Sequence, residues 1–175
     1  MKRLLPLILL LAPLAVSACA TAPDGLSPAA QSPTSALERQ FAWSGLAGDN
    51  AIRGAVAYRT PAGGAFSCAG RSVALTPAAP ISAIRTERLY GSTDHAVSSL
   101  EAVRQRSAGQ SAPAYARWMR STQCDEQGRF AFEGLPDGGW FLIATAKPER
   151  AGAQPVVIMR RIEARGGQTR MLDLR

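Results

Sequence analysis

The chain has 175 residues with 20 Lys and Arg against 13 Asp and Glu, a formal net charge of +7. That length suits one domain with a real hydrophobic core and not two comfortable ones. Lysines are few, and arginines such as Arg53, Arg71, Arg85 and Arg129 are spread along the chain without the compact basic block of a nucleic-acid face, so nucleic acid is not expected as a partner.

Lys2 and Arg3 open the chain, and Leu4 to Val16 form an apolar run too short to span a bilayer comfortably. Val16-Ser17-Ala18-Cys19 closes that run and resembles the lipobox of bacterial lipoproteins. The resemblance implies that residues 1–18 are a signal peptide, that the Cys19 thiol takes a diacylglyceryl group, and that the new amine is acylated. Acyl chains hold a protein on a membrane at about 0.8 kcal/mol per buried CH₂. Ala20 stands where inner-membrane lipoproteins of this kind carry aspartate, which implies the outer membrane, facing the periplasm. The alternative is an ordinary secretory signal cut after Ala18, which leaves Cys19 as a free thiol in an oxidising compartment, an uncommon outcome. With Cys19 committed to lipid, Cys68 and Cys124 remain as an even pair and are expected to form a disulfide. Such a bridge closes a loop of more than fifty residues, for which the loss of unfolded-chain entropy is worth roughly 4 kcal/mol.

Residues 19–34 are the lipidated cysteine and a tether, rich in Ala, Ser and Thr and punctuated by Pro23, Pro28 and Pro33. A single domain is expected over 35–175. Ser35 and Glu38 have capping-box spacing, and Leu37 and Phe41 lie four apart, so a short helix leads in, with Trp43 beside it. Ile52, Gly54, Val56 and Tyr58 then alternate with Arg53, Ala55, Ala57 and Arg59, the period of a strand buried on one face. Val73 and Leu75 repeat it briefly before Pro77 and Pro80. Ser82 to Tyr90 is predicted as a further extended segment, ended by Gly91. Between Asp94 and Ser107 the spacing becomes helical, with Ala96, Val97, Leu100 and Val103 on one side and Asp94 placed to cap the start. Strands are predicted at Tyr115–Thr122, Arg129–Glu133, Trp140–Ala146, Val156–Glu163 and Gln168–Leu174. The whole predicts a mainly β fold, an antiparallel sandwich of seven to eight strands with a short helical insert.

One stretch is more specific. Phe130 and Phe132 point to one side, Pro136-Asp137-Gly138 has the composition of a tight turn, and the chain returns with Trp140, Leu142 and Ala144 on one face, which predicts a hairpin. Residues 128–142 resemble the signature of the carboxypeptidase regulatory-like domain, a prealbumin-like seven-stranded sandwich. That signature runs Gly-x-Phe-x-Phe-x-Gly-Leu-Pro-x-Gly followed by x-Tyr-x-Leu. Every spacing matches, and Trp140 stands where tyrosine is usual. Ile52-Arg53-Gly54-Ala55-Val56 resembles that family's first strand. The resemblance implies a non-catalytic stabilising, adhesive or interaction module.

The chemistry-bearing residues agree with that implication. His95 is the sole histidine and sits beside Asp94, a solvated neighbour rather than a catalyst. No metal site or cofactor is predicted, because one histidine and two oxidised cysteines leave scattered carboxylates. Asp125 and Glu126 are too few for a calcium loop. The histidines and terminal Tyr-Arg-Gly-Ser of the transthyretin-like hydroxyisourate hydrolases, which share this broad fold, are missing. Trp43, Trp118, Trp140 and Tyr90 are candidates to line a sugar-binding face. Trp118 between Arg117 and Arg120 is the candidate binding surface, suited to an acidic glycan or a protein partner if the tryptophan is exposed. The reading is therefore a non-enzymatic, lipid-anchored cell-envelope module whose sandwich serves an interaction or structural role, with the membrane as partner through its lipid and an envelope protein or glycan as the expected further partner. The alternative is a glycan-binding protein for peptidoglycan or lipopolysaccharide.

Overall fold

Strand β1 (Asn50–Arg59) buries Ile52 and Val56 and leaves Arg53 and Ala57 exposed, so the alternation read from the sequence is the alternation of the fold. The computed structural model describes residues 33–175; the signal peptide, Cys19 and all but the last two residues of the predicted tether lie outside the described residues. The remaining strands are β2 (Ala65–Ser67), β3 (Ser72–Pro77), β4 (His95–Ser99), β5 (Arg120–Gln123), β6 (Arg129–Leu135), β7 (Gly138–Pro148), β8 (Val156–Ala164) and β9 (Thr169–Leu174). Helices α1 (Pro33–Phe41), α2 (Pro80–Tyr90) and α3 (Leu100–Ser107) join them.

The ladders link all nine strands into one continuous sheet that folds over on itself. One face of the resulting sandwich has the order β5-β3-β7-β8-β4, all antiparallel. In the other, β1 pairs with β6 antiparallel and with β9 parallel, the one departure from the antiparallel expectation. The short β2 bonds to both β1 and β7 and closes the fold between the faces. Between them lies a single cluster in which Ile52, Val56, Phe130 and Phe132 meet Leu75, Trp140, Leu142 and Ile158. Cys68 and Cys124 are part of it and are disulfide-bonded, with Cα atoms 5.8 Å apart.

β7 and β8 are buried on both sides. Their inward residues fill the sandwich, and their outward Phe141, Val157 and Met159 are also buried. α2 and α3 pack against each other on that outer side, which makes the fold three layers: helices, a five-stranded face, a three-stranded face. A second, small cluster of Phe41, Ala79 and Tyr115, with Leu37 and Trp118 against it, ties α1 to the base of α2.

Several segments differ from expectation. Ser82–Tyr90 is helical, not extended: Pro80 starts α2, the Ser82 hydroxyl accepts from the Ala79 N–H and donates to the Pro77 carbonyl, and Gly91 ends the helix at φ 78°. The segment read as one helix from Asp94 is β4 followed by α3, and Ser99 caps α3 by accepting from the Ala102 N–H, a role expected of Asp94. The single helical insert is thus two helices. Residues 115–122 are a 3₁₀ turn at Ala116–Trp118 and then β5.

The Pro136–Gly138 turn makes no hairpin. β6 pairs with β1 and β7 with β3 and β8, so the turn is an arch that carries the chain from one face to the other. Asn50, 2% exposed, fastens that arch: its Nδ2 donates to the Leu135 carbonyl at 3.0 Å and to Asp137 Oδ1 at 2.8 Å, and its Oδ1 accepts from the Gln168 N–H at 3.1 Å. Asp137 Oδ1 also accepts from the Gly166 N–H. The three termini of β1, β6 and β9 therefore meet on one amide. Gly138 is required beside it, because a Cβ there would lie 2.2 Å from the Trp43 ring, which itself packs edge-on to Trp140.

Candidate functional site

The candidate surface around Trp118 is already committed internally. Trp118 lies in the 3₁₀ turn, half-buried, with its ring stacked on Phe41 at 5.4 Å, and Phe41 stacks in turn on Tyr115 at 5.0 Å. Arg117 covers the outer side of the indole at 3.9 Å and pairs with Glu38 of α1 at 2.8 Å. Arg120 spends its guanidinium on main-chain carbonyls: Nη2 donates to Ser44 at 2.9 Å, and Nη1 donates to Gly134 at 3.2 Å. It also sits 5.7 Å from the Trp140 ring centroid. Trp43 and Trp140 are paired within the fold and do not join a common face with Trp118.

Behind the Tyr115 end of that stack is a groove with unspent polar groups. Two adjoining cavities of ≈ 230 and ≈ 200 Å³ run between α2 and residues 110–119 and share Arg85, Pro113 and Tyr115. The outer one has an apolar rim of Ile81 and Ile84, 38% and 63% exposed. The inner one reaches Thr76 on β3 and Ile143 on β7, with Tyr90 at its side. Thr76 is 2% exposed and its Oγ1 has no hydrogen-bond partner. Buried polar atoms are ordinarily satisfied, and this hydroxyl, sealed from solvent by the atoms around it, is an exception in the wall of the inner cavity. Among the described residues neither the Tyr90 nor the Tyr115 hydroxyl makes a hydrogen bond. Burial pushes the Tyr90 phenol up to about 12, with the neighbouring Tyr115 adding to it and Arg85 opposing, and burial raises Tyr115 as well. Both phenols stay protonated donors at neutral pH. Arg85 Nη1 donates to Gln110 Oε1 at 2.9 Å, which holds the guanidinium across the groove.

The groove lies where the buried face of α2 carries the short Ser82 and Thr86 beside Leu89, which leaves space next to Thr76 on β3 and Ile143 on β7. Tyr90 was among the aromatic candidates of the sequence; Arg85, Thr86 and Tyr115 were not, since they come together only through the helix that the sequence reading missed.

A larger cavity lies elsewhere, ≈ 590 Å³ on the open outer side of β6, β1 and β9, lined by Ala55 and Ala57. Its arginines are each paired to an acid: Arg53 to Glu133, Arg129 to Asp125 and Arg175 to Asp173. Its one aromatic, Phe130, is 5% exposed and belongs to the core. Size alone does not make it the better site. His95 and Asp94 form an exposed pair at 2.9 Å, in which the hydrogen bond from His95 holds the Asp94 carboxyl below its ordinary range. Asp125 accepts from the Arg129 and Gln127 N–H groups and closes its own turn, and those contacts hold its carboxyl low. Among the described residues no cluster of three His, Cys, Asp or Glu is placed to hold a metal ion.

These features define a helix-covered β-sandwich with a small, donor-lined groove under one helix. Among solved structures it is similar in fold to a Pseudomonas aeruginosa protein described as a "putative carbohydrate binding protein", with a TM-score of 0.54 at 18% identity over 78% of this chain and 95% of that one. At that identity the likeness is one of fold. No family model and no curated protein matches the chain.

Proposed function

We propose that the protein is a non-enzymatic glycan-binding module of the bacterial envelope, held at the outer membrane by lipid on Cys19, whose groove beside α2 receives a sugar. The groove carries the reading. Its rim of Ile81, Ile84 and Pro113 suits the C–H face of a pyranose, and its interior offers two phenols and one guanidinium to the oxygens. The fold neighbour's description as a carbohydrate binder supports the same reading, and the lipobox-like Val16–Cys19 supports the address. The resemblance of residues 128–142 to the carboxypeptidase regulatory-like signature agrees with a role in binding.

The test takes the full chain purified from membranes. Mass spectrometry is expected to find Cys19 acylated, and pull-down on peptidoglycan and lipopolysaccharide fragments is expected to retain the protein. Retention should weaken at least about tenfold in Arg85→Gln. An unmodified Cys19 overturns the anchor, and absence of retention on either glycan overturns the binding role.

A further inference from the structure

We propose that the groove beside α2 selects an acidic sugar, one whose carboxylate is gripped by the Arg85 guanidinium and by the hydroxyls of Tyr90 and Tyr115. This rests on the glycan reading and narrows it to a ligand class. The charge of the lining carries the argument. The inner cavity contains one cation, Arg85, the outer adds Arg88 at its edge, and neither is lined by an aspartate or glutamate. Glu87, the acid of α2, is exposed and lines neither.

Arg85 is set apart by its place: like Arg59, Arg71 and Arg104 it pairs with no carboxylate, but it is half-buried in the groove wall, with the neutral Gln110 as its one side-chain hydrogen-bond partner. A guanidinium carries five donors in a fixed fork. With one spent on Gln110, a pair remains for bidentate capture of a planar carboxylate. The hydroxyls of Tyr90 and Tyr115, protonated at neutral pH, extend the excess of donors along the cavity wall. A pocket rich in donors and free of acids discriminates against ligands that bring only further donors, and rewards an acceptor with a full charge.

The experiment is an NMR titration of the isotopically labelled full chain in detergent micelles with glucuronic acid, glucose and glucose 6-phosphate at constant ionic strength. Glucuronate is expected to bind at least about tenfold more tightly than glucose and to shift the Gln110 side-chain amide. Arg85→Gln, checked as folded by its melting curve, brings the two sugars level, and Arg85→Lys restores part of the preference. Tyr90→Phe serves as the second variant and weakens glucuronate by a larger factor than it weakens glucose. Equal affinity for glucuronate and glucose overturns the inference and leaves the glycan reading standing. Tighter binding of glucose 6-phosphate than of glucuronate overturns the carboxylate assignment. No binding of any of the three overturns both.

Discussion

Asn50→Ala tests the claim that one buried amide joins the ends of β1, β6 and β9. The side chain is 2% exposed and makes three hydrogen bonds, to the Leu135 carbonyl, the Asp137 carboxylate and the Gln168 N–H. Asp137 and Gln168 are exposed and rehydrate when the amide is removed, so their loss amounts to net bond energies of about 1 kcal/mol each. Leu135 is fully buried and its carbonyl loses this donor, at about 1–2 kcal/mol. The expected total is about 3–4 kcal/mol. With a urea slope of about 2 kcal/mol/M for a domain of this size, that moves the unfolding midpoint down by about 1.5–2 M without changing the slope. Asn50→Asp should be worse at neutral pH, because it places a carboxylate where Asp137 Oδ1 lies 2.8 Å from the amide and removes the donor to Leu135. Equilibrium unfolding followed by tryptophan fluorescence and by circular dichroism measures both. A shift for Asn50→Ala equivalent to less than about 1 kcal/mol, or Asn50→Asp tolerated as well as alanine, refutes the account.

Replacing Cys68 and Cys124 together by alanine removes a cross-link with a sequence separation of 56, and loop entropy sets the loss near 4 kcal/mol, read as a drop in denaturation midpoint. Gly138→Ala drives a methyl into the Trp43 ring, at a cost of about 2 kcal/mol, and displaces that indole from Trp140; a red-shifted tryptophan emission from the folded variant is the signature, and an unchanged spectrum counts against it. Tyr90 titrates near 10 when unfolded and at about 12 when folded, so the folded state keeps the proton longer. Its contribution is complete below about pH 10 and is lost as the pH rises through about 12, at up to about 1.4 kcal/mol per pH unit in between. Tyr90→Phe should flatten that alkaline limb of the stability curve, and an unaltered limb would mean the phenol is hydrated.

The strands were legible where one face is apolar. Phe130 and Phe132, then Trp140, Leu142 and Ala144, declare which side is buried, and all five belong to the central core. What alternation does not declare is the partner. Two successive strands that bury the same side can pair edge to edge or face each other across a sandwich, and both arrangements satisfy the pattern. The arch at Pro136–Gly138 was therefore read as a hairpin. α2 was missed for a different reason: its buried residues are Ser82, Thr86 and Leu89, while Ile81 and Ile84 face outward, so hydrophobicity points the wrong way around the helix. Punctuation was the usable signal, with Pro80 at the first turn and Gly91 just past the end. At residues 95–99, apolar Ala96 and Val97 fit a helical stripe as well as an edge strand, and pairing with β8 decides it.

The site was hidden with the helix, and the contrast between two arginines shows why sequence neighbours are poor guides to binding. Arg120 flanks a tryptophan and looks available, yet its donors are already divided among main-chain carbonyls that hold the 44–46 segment and the end of β6. Arg85 has no aromatic neighbour in sequence, yet the fold brings Tyr90 from the end of its own helix and Tyr115 from the loop, and leaves most of its donors unspent. Capacity to bind depends on what a polar group has left after folding. A ligand at Arg120 would have to displace intramolecular bonds whose loss loosens the arch, so affinity there would be offset by stability. At Arg85 a ligand adds bonds to groups with donors left over, and its binding energy adds to the stability of the fold. It follows that a ligand of the groove raises the melting temperature of the wild-type chain and not that of Arg85→Gln, whereas Arg120→Ala lowers the melting temperature without altering the ligand-induced rise.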